Sequence, residues 1–305
     1  MNIIVGARGS SLSLIQTGIV VQMMKKVSKD LEVSTQVIKT KGDIMDEKHI
    51  LTIGGEGIFE KEVNNAVIER VVDFAVHSMK DLTTSLDPKL TIAAIPIRES
   101  PFDVLVSKEG YNVNDITSGS TIGTGSTRRE AQVKHLRQDL VIKPIRGNVE
   151  TRLRKLDEVE FTALIMAEAG LNRLKMQSTI ECLPSEDFTP AAGQGALAIT
   201  IRKDREDLLS LFSKINHAPT MSEVTAERRF LAAVGGGCKI PIGALAKVNG
   251  GKMILKTMIL SPDGSRRLKF SQEGSASSPE EIGDNAAQEL ISQVGSVENM
   301  VGRVE

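Results

Sequence analysis

Short apolar runs and amphipathic segments alternate along the first hundred residues. The runs "NIIVGA", "EVSTQVIKT" and "VDFAVHS" have the length and composition of strands, whereas "SLSLIQTGIVVQMMKKV" and "IFEKEVNNAVIER" have helical periodicity. Strands that alternate with helices predict an α/β domain with a largely parallel sheet.

A second series of the same kind follows. Its predicted strands are "FDVLVS", "STIGTG", "LVIKPI" and "FTALIMA", and its predicted helices are "STRREAQVKHLRQ", "NVETRLRKL" and "EAGLNRL". Two proline-containing segments, 96–101 and 184–195, are predicted to carry the chain from one series to the other and back. We therefore expect one α/β domain from 1–97 with 193–216, and a second from 98–192.

The pattern changes after residue 216. A predicted helix, "TMSEVTAERRFLAAV", is followed by strand-like runs that are separated by the hairpin signals "NGG" and "PDG". A last helix begins near Pro279, where Ser278 and Glu281 have the spacing of a capping box. We expect a third, small α+β domain with an antiparallel sheet over 217–305.

Composition narrows the classes of function. The 305 residues are 40% hydrophobic and 25% charged, as in an ordinary globular protein. The 38 basic and 39 acidic residues nearly cancel, so we expect no nucleic-acid partner and no membrane association through overall charge. The N-terminus lacks the pattern of an export signal and no apolar run has membrane-spanning length, which predicts a cytoplasmic protein. Cys182 and Cys238 do not have metal-ligand spacing, so no metal site is expected.

Two glycine-containing turns are candidates for anion binding. "GARGSS" and "GTGSTRR" each follow a predicted strand and begin a helix, so backbone N–H groups and the hydroxyls of Ser10, Ser126 and Thr127 would face an anion there. The alternative is that both are ordinary capped helix starts. Neither turn has the spacing of a dinucleotide fingerprint or a P-loop.

Arginine favours the anion-binding interpretation. Arg128 and Arg129 lie in the first turn of a predicted helix, where positive charge is unfavourable, so another requirement is expected to keep them there. Arg146 follows a predicted strand, at the end where open α/β sheets bind ligands, and Arg152 is close to it in sequence. Guanidinium groups suit carboxylates, and we expect these four residues to line a carboxylate-binding cleft. Arg137 and Arg154 are instead assigned to a solvated helix face.

Two further segments carry candidate chemistry. "AVHSMKDL" ends a buried strand with Ser78, Lys80 and Asp81, and a carboxylate at such an edge can stabilise a cation or accept an N–H proton. Asp81 is alternatively a helix cap, and His77 is interpreted as a packed strand residue. Three glycines precede Cys238, which indicates either a presented thiol or a tight turn with a small buried cysteine.

Together these motifs resemble the porphobilinogen deaminase family, also called hydroxymethylbilane synthases. The matching segments run in family order over nearly the whole chain: "GARGSSLSLIQ", "KGD", "GIFEKEV", "AVHSMKDL", "GTGSTRREAQ", "RGNVETRL", "AGQGALAI" and "GGGCKIPIG". The resemblance implies a transferase of haem and porphyrin biosynthesis. Such an enzyme joins four porphobilinogen molecules head to tail, releasing ammonia each time, to give the linear tetrapyrrole hydroxymethylbilane.

The resemblance also implies a cofactor and site residues. The cofactor is dipyrromethane, built from the substrate and held by a thioether at the cysteine of the Gly-Cys motif, Cys238 here. Asp81 matches the catalytic aspartate that contacts pyrrole N–H groups and stabilises cationic intermediates. The other assigned positions bind cofactor or substrate: Arg8, Ser10, Gln16, Ser78, Lys80, Ser126, Thr127, Arg128, Arg129, Arg146, Gly147, Asn148, Arg152 and Gln194.

The implied fold is α/β, with two domains like those of type II periplasmic binding proteins around a cleft, and a small α+β domain that carries Cys238. The resemblance implies a monomer and a lid over 42–57. Thr52 and Glu56 stand in that lid where lysine is expected. Two alternatives remain: a non-catalytic two-domain binding protein for a polycarboxylated small molecule, which would not explain Cys238, and an RNA-binding protein, which conflicts with the balanced charge and scarce aromatic residues.

Overall fold

The computed structural model describes residues 1–40, 60–158, 161–176, 178–235 and 240–301. The chain forms two compact units: Met1–Glu99 with Gly195–Met221, and Ser100–Gln194 with Ser222–Glu305. The changes of unit at 99/100 and 194/195 fall inside the two proline-containing segments that were predicted as connections. The division into three domains stays a prediction.

In chain order the described elements are β1 Asn2–Arg8, α1 Ser11–Val27, β2 Glu32–Ile38, α2 Lys61–Ile68, β3 Phe74–Ser78, a 3-10 turn Met79–Asp81, β4 Leu90–Ala94, β5 Asp103–Ser107, β6 Thr121–Gly123, α3 Thr127–Leu136, β7 Val141–Lys143, α4 Val149–Asp157, β8 Ala163–Ala167, α5 Glu168–Leu174, β9 Ile180–Leu183, β10 Leu197–Arg202, α6 Glu206–Ser213, α7 Ala218–Ala233, β11 Ile242–Asn249, β12 Lys252–Leu260, β13 Arg267–Ser275, α8 Pro279–Val294 and α9 Val297–Val301. None of these helices is both long and apolar enough to cross a membrane.

The first unit contains a five-stranded sheet in the order β2-β1-β3-β10-β4. β1 is parallel to β2 and β3, whereas β10 is antiparallel to β3 and β4. The predicted alternation of strand, helix and strand at the start of the chain is confirmed, with β1 and β2 parallel. Because β1 and β3 are parallel neighbours, the residues that follow them lie at the same edge of the sheet.

The second unit contains a five-stranded sheet with the same plan, in the order β7-β6-β8-β5-β9. β6 is parallel to β7 and β8, and β5 is antiparallel to β8 and β9. The predicted second α/β series of similar build is therefore confirmed. The carboxyl ends of β6, β7 and β8 share one edge, and so does the start of the antiparallel β5.

A three-stranded antiparallel sheet, β11-β12-β13, belongs to the second unit too. Phe230 of α7 and Leu290 of α8 pack with Leu255 of β12 in its fully buried core. The "NGG" turn joins β11 to β12 through Gly250 and Gly251, both with positive φ as a two-residue hairpin loop requires. The predicted antiparallel meander with helices is confirmed.

The start of α8 differs from the expected capping box. Ser278 is the residue before the helix and Pro279 is its first residue, as predicted, but the Ser278 side chain makes no cap hydrogen bond. Its ψ of 56° departs from the extended backbone that aims a cap side chain at the first turn. The Ser278 part of the capping-box prediction is therefore wrong.

The described architecture is thus mixed α/β, with two five-stranded sheets of one plan and a small C-terminal antiparallel sheet with helices. This is the expected fold class. The cleft stays a prediction.

Candidate active site

The carboxyl edge of the first sheet gathers six of the predicted site residues. β1 ends at Arg8 and β3 ends at Ser78, and the two strands are in parallel register from Val5 opposite Phe74. The six residues are the following: Arg8, Ser10, Gln16, Ser78, Lys80 and Asp81. The fold therefore brings these distant sequence motifs to one place within the first unit.

Ser10 and Gln16 have partners at this edge. Ser10 precedes α1, and its Oγ accepts a hydrogen bond from Ser13 N at 3.3 Å. Gln16 is 4% exposed, and its Nε2 and Oε1 lie 2.8 and 3.2 Å from Ser78 Oγ. The pair joins α1 to the end of β3, so Gln16 and Ser78 hold the edge together whatever else they contact.

The turn Met79–Asp81 has two exposed charged side chains and one buried apolar side chain. Lys80 and Asp81 are exposed, whereas Met79, the first residue of the turn, is buried, and its N–H donates to Ala196 O at 3.0 Å. Just after the turn, Thr83 N donates to Glu60 Oε1 at 3.1 Å. These hydrogen bonds hold the backbone on both sides of Asp81, whose side chain is exposed.

His77 is a packed residue, as the sequence indicated. It is buried, and its Nε2 lies 3.1 Å from both Asn64 Oδ1 and Thr200 Oγ1. Burial lowers the pKa of His77 to about 4, and the positive charge of Arg8 acts in the same direction. The ring is therefore neutral at neutral pH and is held as part of the core.

The carboxyl edge of the second sheet carries two helix starts. Ser126 precedes α3, and its Oγ lies 3.5 Å from Arg129 N. Asn148 precedes α4, and its Oδ1 accepts from Thr151 N at 2.8 Å. The side chains of Ser126 and Asn148 therefore act as ordinary helix caps, whether or not the same turns also bind an anion. Thr127, the first residue of α3, lies at the same edge.

Arg128 and Arg129 share one buried carboxylate. Asp103 is fully buried at the start of β5, 2.7 Å from Arg128 Nη1 through Oδ2 and 2.7 Å from Arg129 Nη2 through Oδ1. Gln194 Nε2 also donates to Asp103 Oδ1, at 2.9 Å. Burial alone would raise the pKa of Asp103, but the two guanidinium groups and Gln194 hold it well below its usual range. Sequence reasoning missed Asp103, although an acidic residue opening the apolar run "FDVLVS" was a signal.

The two arginines differ in how much of their donor capacity the protein uses. Arg129 donates through Nε and Nη2 to Asp103 and through Nη1 to Ile165 O. Arg128 donates to described residues through Nη1 alone, to Asp103 Oδ2 and to Thr189 O, both at 2.7 Å. Within the described part of the chain Nε and Nη2 of Arg128 contact no acceptor. A guanidinium has five N–H donors, so Arg128, which is 5% exposed, keeps donors that no described residue takes up.

The turn after β7 positions Arg146 and Arg152. Gly147 has a φ of 113°, which a side chain would strain, and its carbonyl accepts from Arg152 Nε at 2.8 Å. Arg146 is partly exposed, and its buried Nε has no hydrogen-bond partner among the residues that the structure describes. An unsatisfied buried donor is costly, so a ligand acceptor would be favourable there.

The other two arginines of this region behave differently. Arg154 is 69% exposed and faces Glu158 at 3.7 Å, as expected for a solvated helix face. Arg137 is only 17% exposed, and it donates to the carbonyls of Val113 and Ile116 and to Asp139. The solvated-face interpretation of Arg137 is wrong, because its fork satisfies the carbonyls of the loop before β6.

Three predicted features lie outside the described residues: Cys238 with its neighbour Lys239, the lid segment 42–57, and Thr52 and Glu56 within that segment. In the described ranges, no group of three or more His, Cys, Asp or Glu residues has the arrangement of a metal site. The described donors include cationic, hydroxyl and amide groups, which fit the carboxylates of a dipyrromethane.

Two family models match this chain. Residues 3–210 match "Porphobilinogen deaminase, dipyromethane cofactor binding domain", and residues 221–292 match "Porphobilinogen deaminase, C-terminal domain". The matches cover most of the described residues of both units.

Curated relatives agree with the models. A probable porphobilinogen deaminase of Hyperthermus butylicus is 44% identical over 292 residues, which is 95% of this chain and 96% of the relative. The porphobilinogen deaminase of Oceanobacillus iheyensis is 42% identical over 305 residues, 99% of this chain and 97% of the relative. Among solved structures, substrate binding domain 2 of Lactococcus lactis GlnP is 12% identical, with a TM-score of 0.45, and the alignment covers 70% of this chain and 87% of that one. That similarity is too low to support a conclusion.

Proposed function

This chain belongs to the porphobilinogen deaminase family, and from that premise we propose that it condenses four porphobilinogen molecules, with loss of ammonia from each, into hydroxymethylbilane on a dipyrromethane primer. The observation that carries the proposal for the chemistry is the Met79–Asp81 turn, which offers an exposed carboxylate from a backbone tied at Met79 and Thr83.

Asp81 is the proposed catalytic residue. When porphobilinogen loses ammonia, positive charge develops on the pyrrole ring, and its N–H becomes a stronger donor. A carboxylate held in place stabilises that charge and accepts the N–H hydrogen bond without a reorganisation cost at the moment of reaction. Lys80, exposed beside it, is the proposed partner of a substrate carboxylate.

Each pyrrole unit carries an acetate and a propionate, and the arginines are the proposed binders of these groups. Arg128 has donors left over after Asp103 and Thr189 are satisfied, and Arg146 has a buried Nε to pair. Arg129 is committed to Asp103 and Ile165 and so also fixes the position of its neighbour. The remaining proposed contacts come from the following residues: Arg8, Ser10, Gln16, Ser78, Ser126, Thr127, Gly147, Asn148, Arg152 and Gln194.

The proposed attachment point of the dipyrromethane is a thioether at Cys238. The bound cofactor supplies the free pyrrole position to which the first substrate is joined. In the sequence three glycines, which have no side chains, precede Cys238, and the next residue is Lys239, a cation of the kind that favours a thiolate. The cytoplasmic location predicted from the sequence and the monomeric state implied by the family resemblance belong to the same proposal.

An intact mass of the purified protein tests the proposal. We expect the chain to be heavier than its sequence by two porphobilinogen units less two ammonia molecules, and Cys238→Ser to lack this excess. Cys182→Ser is the matched control, because Cys182 is an exposed free cysteine in β9 and should leave the excess in place.

Two results would contradict the proposal. An excess that persists in Cys238→Ser and disappears in Cys182→Ser would move the attachment point. A chain that stays unmodified after incubation with porphobilinogen would favour a non-catalytic protein that binds polycarboxylated molecules.

A further inference from the structure

The "PDG" hairpin between β12 and β13 lies against α3, the helix that carries Arg128 in its first turn. His135 Nδ1 is 2.8 Å from Gly264 O, and because a carbonyl only accepts, the ring nitrogen is the donor. Gly264 is buried with a φ of 74°, and a Cβ there would come within 2.7 Å of Ala131 O and of His135 N. The hairpin backbone therefore approaches the helix as closely as a glycine permits.

Apolar packing joins the same two elements. Ala131 of α3 and Met258 and Leu260 of β12 are all fully buried and form one cluster. Contacts of this kind are lost as a group when the two surfaces separate, because interiors are close-packed.

A second route runs from the C-terminal sheet to the arginine itself. Thr189 O accepts from Arg128 Nη1 at 2.7 Å and from Gln132 Nε2 at 3.2 Å. The Thr189 hydroxyl lies 3.8 Å from Met258 Sδ of β12. Ala244 N of β11 donates to Pro190 O, the next residue along the chain, at 2.9 Å. The carbonyl that orients Arg128 is thus attached to the C-terminal sheet.

We propose that the β12–β13 hairpin is a brace for α3, and that His135 and Gly264 are positioning residues that set where the Arg128 guanidinium meets a substrate carboxylate. The second part rests on the proposed function, in which Arg128 binds such a carboxylate. Guanidinium recognition of a carboxylate is directional, so a small tilt of α3 weakens binding without touching the group that does the chemistry.

Substitutions at both partners of the brace test the proposal. His135→Ala removes the donor, whereas His135→Asn restores a nitrogen donor at nearly the same distance from the backbone. Gly264→Ala forces a Cβ against α3. The matched control is Gly251→Ala in the other hairpin of the same sheet, where φ is 84° and no atom lies within 4 Å of an added Cβ. It carries the same backbone strain with no contact to α3.

Two measurements on the full-length, cofactor-loaded enzyme test the brace and the positioning of Arg128 separately. Hydrogen exchange of the α3 backbone amides reports the brace, and the KM for porphobilinogen reports the arginine. We expect His135→Ala and Gly264→Ala to speed α3 exchange about tenfold and to raise KM about three- to tenfold with kcat within about twofold. His135→Asn and Gly251→Ala should stay close to the parent enzyme in both.

The possible results distinguish the brace itself from its effect on Arg128. Unchanged α3 exchange in His135→Ala would overturn the brace, even if Gly264→Ala fails to fold. Faster exchange with an unchanged KM would overturn the assignment of Arg128 to a substrate carboxylate, and the positioning role with it. A loss confined to kcat, or one not rescued by His135→Asn, would also overturn the positioning role.

Discussion

Asp81 is exposed and Asp103 is buried, and this difference in environment gives the two carboxylates different roles. Asp81 is exposed at a tied turn, so its charge is available to a ligand. Asp103 forms ion pairs with Arg128 and Arg129 and accepts a hydrogen bond from Gln194. Its negative charge therefore stabilises two neighbouring cations. A carboxylate in a pattern of residues is thus a candidate for either role until its neighbours are known.

Replacing Asp81 should separate catalysis from folding. Because the side chain is exposed, we expect Asp81→Ala to retain the thermal unfolding midpoint and to lose at least ~10²-fold in turnover of porphobilinogen, the order expected for one preorganised charge contact. Asp87→Ala, exposed in the following loop, is the control and should keep near-parent turnover. Near-normal turnover of Asp81→Ala would refute its assigned role.

The buried His77 should make stability depend on pH. Its pKa falls from 6.5 in the unfolded chain to about 4 in the folded protein, so protons bind the unfolded state more tightly. Its contribution is therefore complete above about pH 6.5 and is lost as the pH falls towards 4. Between pH 7.5 and 4.5, we expect the free energy of unfolding to fall by about 2–3 kcal/mol more in the parent than in His77→Gln.

Denaturant titrations at the two pH values measure this difference directly. Equal losses in the parent and the variant would show that His77 is not the group that titrates.

Three helix N-caps stabilise their helices and also lie at the candidate site. Ser10, Ser126 and Asn148 each precede a helix with extended backbone, and each side chain accepts from the first turn. The first turns that they fix carry or adjoin the candidate anion-binding residues. Capping and ligand binding are therefore not exclusive alternatives at these turns, because backbone N–H groups of the same turn serve both.

The cap at Asn148 should be measurable. Asn148→Ala removes an acceptor 2.8 Å from Thr151 N, and we expect it to lower the free energy of unfolding by about 1 kcal/mol. Ser278→Ala is the control, because Ser278 occupies the same position at α8 without a cap hydrogen bond and should cost only a few tenths. Urea titration of both variants checks the prediction, which fails if the two losses are equal.

α7 closes the free edge of the C-terminal sheet. Glu223 Oε1 accepts from Val248 N at 3.0 Å, and Glu227 Oε1 accepts from Ala246 N at 2.9 Å, so two carboxylates one helical turn apart pair the alternate N–H groups of β11. Glu227 Oε2 also accepts from Gly193 N at 2.6 Å. An edge strand that would otherwise be open for pairing with another chain is thereby covered.

At the scale of the whole molecule, the second unit combines the second α/β sheet with the C-terminal sheet. Glu227 joins α7 and β11 to Gly193, and the Ala131, Met258 and Leu260 cluster joins α3 to β12. Sheets that share buried contacts of this kind are expected to lose structure together.

We therefore expect the amides of β8 and β12 to lose protection at the same denaturant concentration. Hydrogen exchange followed by mass spectrometry across a guanidinium chloride series measures both in one sample. Loss of protection in β12 at a clearly lower concentration would show that the C-terminal sheet unfolds as an independent domain.

The sequence by itself determined the local elements and the candidate residues. Helical periodicity and alternation are set by neighbours a few positions apart, so α1, α5 and the C-terminal hairpins could be predicted closely. Motifs that resemble one family pointed to Asp81 and to the arginines, and the family itself is confirmed by the comparisons.

Only the tertiary structure decided how those residues are used. β10 pairs antiparallel with β3 across more than a hundred residues of sequence, and Asp103 meets Arg128 and Arg129 because β5 runs against β8. The sequence around Arg137 is typical of an exposed helix face. The structure shows instead that the Arg137 guanidinium donates to the backbone carbonyls of Val113 and Ile116, in the loop before β6. Hydrogen bonds and ion pairs depend on distances of a few ångströms between remote segments, and no local pattern of residues contains those distances.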